Sequence, residues 1–251
     1  IQGHMQESAG NEYQGLSIDG ISITVYATQY TEEYDSFNNT YDASAQVKAV
    51  GTENEIAEAM KTADTVVTVT KNIKPENTLV ADQKNVTLNM NGKTFENTED
   101  LWEKTSNGWS LVSAQNGSSL TINGNGTFKA KKDDCYAVDV QDGSSVVIKN
   151  GTFVGNIHAV YVLEGTAIIE GGTYSVQQKY PDANKADGFV LNCYDANRAN
   201  GTAKIIVKGG TFINFNPADC WAEGEHTNFL AEGYKVKSEV KGNDTYYTVV
   251  K

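Results

Sequence analysis

Few residues in this 251-residue chain have the types and spacing to do chemistry. Asp133-Asp134 is one acidic pair, and Asp187 holds the corresponding place farther along. Glycoside hydrolysis needs two carboxylates flanking one bond, one as acid and the other as base or nucleophile. The competing reading of these acids is a solvated loop. Asp219-Cys220-Trp-Ala-Glu223-Gly-Glu225-His226 gathers possible metal ligands in one stretch, without a recognised zinc spacing. Asp35-Ser-Phe-Asn38-Asn39-Thr-Tyr-Asp42 offers oxygen ligands for calcium but lacks the EF-hand spacing and its glycine. His158 falls on a column of alternating strand residues and reads as a packed histidine rather than a catalytic one. No catalytic constellation is complete, so the expectation is a chain without cofactor, metal or enzymatic activity. Trp102, Trp109, Trp221 and Tyr180 are the more informative set. Such aromatics anchor binding partners at low entropic cost; the competing reading is that they pin loops onto the protein itself.

The elements that must position these side chains are announced by a repeated phrase. Leu120-Thr-Ile-Asn-Gly-Asn-Gly-Thr-Phe128 recurs as Val146-Val-Ile-Lys-Asn-Gly-Thr-Phe153, Ala167-Ile-Ile-Glu-Gly-Gly-Thr-Tyr174 and Ile205-Ile-Val-Lys-Gly-Gly-Thr-Phe212. A looser copy ends at Phe95. The steps from aromatic to aromatic are 33, 25, 21 and 38 residues, so a short rung carries insertions of varying length. One rung of short strands buries no core alone, whereas rungs stacked about 4.8 Å apart bury a continuous one. The fold expected is therefore all-β, a right-handed parallel β-helix. Thr127, Thr152, Thr173 and Thr211 should form a ladder, with Phe128, Phe153, Tyr174 and Phe212 stacked inside.

A second strand precedes each phrase, and turn glycines align these strands. Val112, Val138, Val160 and Val190 then fall in one inward column, with Ala114, Val140, Val162 and Asn192 two positions on. Leu111, Ala137, Ala159 and Phe189 point outward, as do Ser113, Asp139, Tyr161 and Leu191. This outer face is unusually apolar, either covered by an insertion or used for binding. Tyr161 and Phe189 join the three tryptophans and Tyr180 as candidate binding residues. Asp139 stacks on Ser113 and Tyr161, so no ladder of carboxylates is expected.

Thr52-Glu-Asn-Glu55 is a capping box, and Ile56, Ala59, Met60 and Ala63 follow at helical spacing. This short helix should cap the amino-terminal end of the stack. Tyr234–Val240 and Thr245–Val250 around Gly242-Asn-Asp244 read as a hairpin capping the other end. Residues 1–50 lack the repeat and form a small β segment, the tail of a truncated sandwich domain; residues 51–251 form the β-helix with its caps. A formal charge of −12 disfavours nucleic acid and anionic surfaces as partners. No apolar run approaches a membrane span, so direct membrane insertion is not expected. Cys135, Cys193 and Cys220 are either free buried thiols or include one disulfide.

The repeat with its end caps resembles the pectate-lyase-like, or right-handed β-helix, superfamily over residues 53–251. That superfamily hosts lyases, hydrolases, phage spikes and non-catalytic adhesins. Its lyases use an Arg or Lys base beside an acidic calcium cluster, and here Arg198 is the sole arginine, among Asn and Ala. Met5-Gln-Glu-Ser-Ala-Gly-Asn-Glu-Tyr13, Ile23-Thr-Val-Tyr-Ala-Thr-Gln29 and the stretch from Glu33 to Asp42 resemble the carboxy-terminal part of camelysin-like and biofilm-fibre-like exported proteins of Gram-positive bacteria. The resemblance implies an exported, envelope-associated protein. The function expected is an adhesin or binding module at the cell surface for a host glycoprotein, an immunoglobulin or a neutral glycan. The alternatives are a polysaccharide lyase or glycoside hydrolase, and a fibre subunit.

Overall fold

The structure is a computed structural model, and it describes residues 46–178 and 189–251. Among these residues the chain is dominated by strands, stacked in three sheets in a β-helix-like arrangement. The first sheet runs Gln46–Val50, Thr65–Val69, Val86–Asn89, Ser119–Asn123, Ser144–Ile148, Gly165–Ile169 and Ala203–Val207. The second runs Thr94–Glu96, Thr127–Lys129, Thr152–Gly155, Thr173–Val176 and Thr211–Ile213, then the hairpin strands Asp244–Val250 and Lys235–Lys241. The third holds Leu79–Ala81, Ser110–Ala114, Tyr136–Val140, Val160–Val162 and Leu191–Cys193. Every pairing is parallel except the two made by the terminal hairpin.

Register follows the repeated phrase. Val67, Leu88, Ile122, Ile148, Ile169 and Val207 stand one above another in the first sheet, each fully buried. In the second sheet Phe95, Phe128, Phe153, Tyr174 and Phe212 form an inner stack, with ring centroids 4.9–5.4 Å apart and no solvent exposure. The threonine ladder beside it, from Thr94 to Thr211, is also in register. The single polar atom in the stack is satisfied, because the Tyr174 hydroxyl donates to Gly171 O at 2.6 Å. Turns between the third and first sheets use Asn116-Gly117 and Asp142-Gly143, both residues of each pair at φ between 54° and 69°. Asn, Asp and Gly tolerate that left-handed backbone better than other residues.

Three expectations need correction. The third sheet continues its inward columns with Leu191 and Cys193, not Val190 and Asn192. Tyr161 consequently pairs with Asn192 rather than Leu191. The insertion before this strand has no periodicity to fix its length, so glycine alignment slips by one residue, which reverses every side chain. Gln46–Val50, assigned from sequence to the amino-terminal segment, pairs in parallel with Thr65–Val69 and starts the first sheet. Its five residues carry none of the repeated phrase. Finally, helix α1 (Glu53–Met60) ends before Ala63, which is exposed. Its capping box forms, and Ile56, Ala59 and Met60 are buried against the strands beside it. Residues 5–42, with their family resemblance and calcium-type oxygens, lie outside the described residues.

Candidate functional site

The outer face of the third sheet is covered. Leu111, Ser113, Ala137, Asp139 and Ala159 all have no solvent exposure. The cover is the insertion between Glu96 and Ser110, which buries Leu101 and lays Trp102 and Trp109 over the sheet. One carboxylate organises it. Asp134 accepts from Asn97 Nδ2 at 2.7 Å, Leu101 N at 3.0 Å and Trp102 N at 3.0 Å. Asn97 Oδ1 in turn accepts from Lys131 N at 2.7 Å. Gln115 and Gln141 donate their side-chain amides to Asn107 O at 3.3 and 3.0 Å, and Lys131 pairs with Asp100. The solvated-loop reading thus holds for exposed Asp133 and fails for Asp134, which is buried because three N–H donors compensate its desolvation.

The cover leaves a groove. An open cleft of about 430 Å³ is lined by Asp100, Trp102, Asp133, Asp134, Tyr136 and Ile157. Trp102 is 40% exposed, stacks on Trp109 at 6.3 Å with planes 27° apart, and meets Tyr136 edge-on at 5.1 Å. These contacts fix the indole, so a ligand face laid on it freezes little additional freedom. Asp100 and Asp133 supply acceptors around an apolar platform, an arrangement suited to a polyhydroxyl ligand with one apolar face. Tyr136, Asp100 and Asn97 carry no sequence signal of their own; register places Tyr136, and the fold of the insertion after Glu96 places the other two.

The aromatic row continues along the sheet. Tyr161 lies 5.2 Å from both Tyr136 and His158, and Phe189 meets His158 at 6.0 Å. His158 is buried, with Nδ1 donating to Phe189 O at 2.6 Å, and burial pulls its pKa down to about 4. It is the packed histidine expected. Beneath the cover, Asp139 sits between Ser113 and Tyr161 in register, as anticipated. Burial raises its carboxyl to about 6, against hydrogen bonds from Ser110 and Gln141 that oppose the rise.

The six candidate binding residues therefore divide. Trp102 and Trp109 share the cleft region, and Tyr161 and Phe189 join it through ring contacts. Trp221 stands in a different loop, 37% exposed beside Ala222, where a second cleft opens. Tyr180 and Asp187 lie outside the described residues. The acids and histidine of the 219–226 stretch are spent in small groups: His226 Nδ1 faces Asp219 at 2.8 Å and its Nε2 faces Glu225 at 3.6 Å. Glu223 instead accepts from Cys193 N. Among the described residues no group of three His, Cys, Asp or Glu side chains is arranged to hold a metal. All three cysteines are buried and unbridged, and burial drives each thiol pKa upward. Arg198, from sequence a residue of an Asn- and Ala-rich loop, lies in a short helix, α2 (Asp195–Asn200), and faces Glu223.

No protein-family model, curated protein or solved structure matches the chain significantly.

Proposed function

We propose that this chain is a non-catalytic glycan-binding module of an exported bacterial surface protein, built as a right-handed parallel β-helix of the pectate-lyase-like kind. In this reading α1 and the terminal hairpin are the end caps, and export rests on the resemblance over residues 5–42. The observation that carries the binding role is the Trp102 indole. It is held by Trp109 and Tyr136, exposed to solvent, and flanked by Asp100 and Asp133 in a cleft. The ligand is a neutral sugar, whose hydroxyls donate to the carboxylates and whose C–H face lies on the ring. A host glycoprotein carries such sugars, and an immunoglobulin is the protein alternative. Anionic polysaccharides are disfavoured by the aspartates and the net charge of −12.

A hydrolase remains the rival class, and one observation weighs against it. Asp134 spends its oxygens on N–H donors of the covering insertion, and the other carboxylate beside Asp133 in the cleft, Asp100, is exposed and paired with Lys131, so neither is set up as a catalytic partner. The test is a glycan array followed by calorimetry on the best ligand. Trp102→Ala should weaken binding about tenfold or more, the cost of an anchoring aromatic of roughly 1.4 kcal/mol or greater. Unchanged affinity removes the cleft as the site. Turnover of a glycan that disappears in Asp133→Asn replaces the binding reading with the enzymatic one.

A further inference from the structure

A second cleft, of about 540 Å³, lies beyond the carboxy-terminal end of Leu191–Cys193, lined in part by Asp195, Arg198 and Glu223. Its arginine is the only one in a chain with 20 basic residues. Arg198 is held from two sides: its guanidinium carbon sits 5.0 Å over the Phe229 ring, and Nε lies 3.9 Å from Glu223 Oε2. That distance is too long for a hydrogen bond, and the fork also adjoins the buried Cys193 thiol, a weak acceptor that a carboxylate can displace. The Glu223 side chain is only 4% exposed. Its Oε1 accepts from Cys193 N, and its Oε2 is the oxygen that faces Arg198. Asp195, on the first turn of α2, adds an exposed carboxylate on the same cleft.

The charges select the ligand. A simple anion drawn to Arg198 meets two carboxylates, and a simple cation drawn to those meets Arg198. A molecule with both charges a few ångströms apart satisfies all three. We infer that this cleft binds a small ammonium–carboxylate zwitterion, the chemistry of a free α-amino acid, with its carboxylate on the Arg198 fork and its ammonium between Glu223 Oε2 and Asp195. The bidentate carboxylate–guanidinium contact supplies geometric specificity, and the ammonium gives Glu223 Oε2 a charge-assisted donor. None of these residues belongs to the Trp102 cleft, so this site stands or falls independently of the glycan reading.

The test titrates the full 251-residue chain with each of the twenty free α-amino acids, using calorimetry and the NMR resonance of the Arg198 Nε–H. At least one should bind saturably and shift that resonance. Its N-acetyl and carboxamide derivatives should bind at least about tenfold more weakly, each having lost one charge. Arg198→Lys keeps the cation but removes the fork and should cost about tenfold. Asp195→Asn, at an exposed position that leaves the core untouched, should also weaken binding. No saturable binding by the unmodified chain below about 10 mM overturns the inference. Equal affinity for the N-acetyl derivative, or a shift confined to residues away from Arg198, overturns it as well.

Discussion

Ser110 has one hydroxyl proton and two claimants for it. Its Oγ lies 2.8 Å from Val112 O and also contacts Asp139 Oδ1. A protonated Asp139 resolves the conflict by donating to Ser110 Oγ, which frees the serine to donate to Val112 O. This agrees with a carboxyl that burial raises to about 6, against an ordinary value near 4. Between those two pH values the folded chain keeps the proton that the unfolded chain releases, so stability falls as pH rises from 4 to 6 and stays lower above. Asp139→Asn removes that penalty, and a turned Gln141 amide can offer the new donor its Oε1, now buried without a partner. The variant should be more stable at pH 7.5 by about 2 kcal/mol, with the gain vanishing near pH 4 in urea denaturation. His158 has the opposite slope. Its value of about 4 lies below the ordinary 6.5, so stability is lost as pH falls from 6.5 towards 4. His158→Phe should flatten that acid limb, checked by the same denaturation series across pH. The Asp139 effect was not legible in the sequence, because alternation put that residue on the outer face and only the cover formed by the 97–109 insertion takes it out of water, whereas the packing of His158 was.

Helices and strands were readable wherever local chemistry repeats. Each copy of the phrase ends in a turn, a threonine and an aromatic, and those residues stack in the register expected. The capping box fixed the start of α1, while its end shifted because Lys61, not a residue near Ala63, closes the helix. The insertion before Leu191 hid the one-residue slip, since nothing within residues 175–188 counts out its length. Element ends also carry steric demands that composition does not reveal. Gly155 closes its strand so tightly that a β-carbon there would stand 1.7 Å from the His158 carbonyl oxygen. Gly155→Ala must displace backbone on the next rung. It should cost more than about 3 kcal/mol, seen as a large drop in the thermal midpoint.

At the scale of the molecule, the stacked architecture was legible because periodicity is global, while the two clefts were not. The first depends on how residues 97–109 fold back over the third sheet, and the second on Glu223 reaching Arg198 across 25 residues of sequence. Both are products of insertions, whose positions the repeat predicts and whose paths it leaves open. One edge of the second sheet is Lys235–Lys241, with Lys235, Lys237 and Lys241 exposed, a charged edge of the sort that discourages strand addition. The parallel registers have one more consequence. Hydrogen bonds between rungs point along the stack, so tension applied to its two ends loads the three ladders of a rung together and the rungs in series. Extended by an optical or cantilever tether, the chain should yield as a saw-tooth whose spacings follow the repeat, roughly 7 nm for the 21-residue step ending at Tyr174 and roughly 13 nm for the 38-residue step ending at Phe212. A force trace would thus read out the length of chain carried by each step, whereas a single cooperative rupture would mean that the rungs do not yield separately.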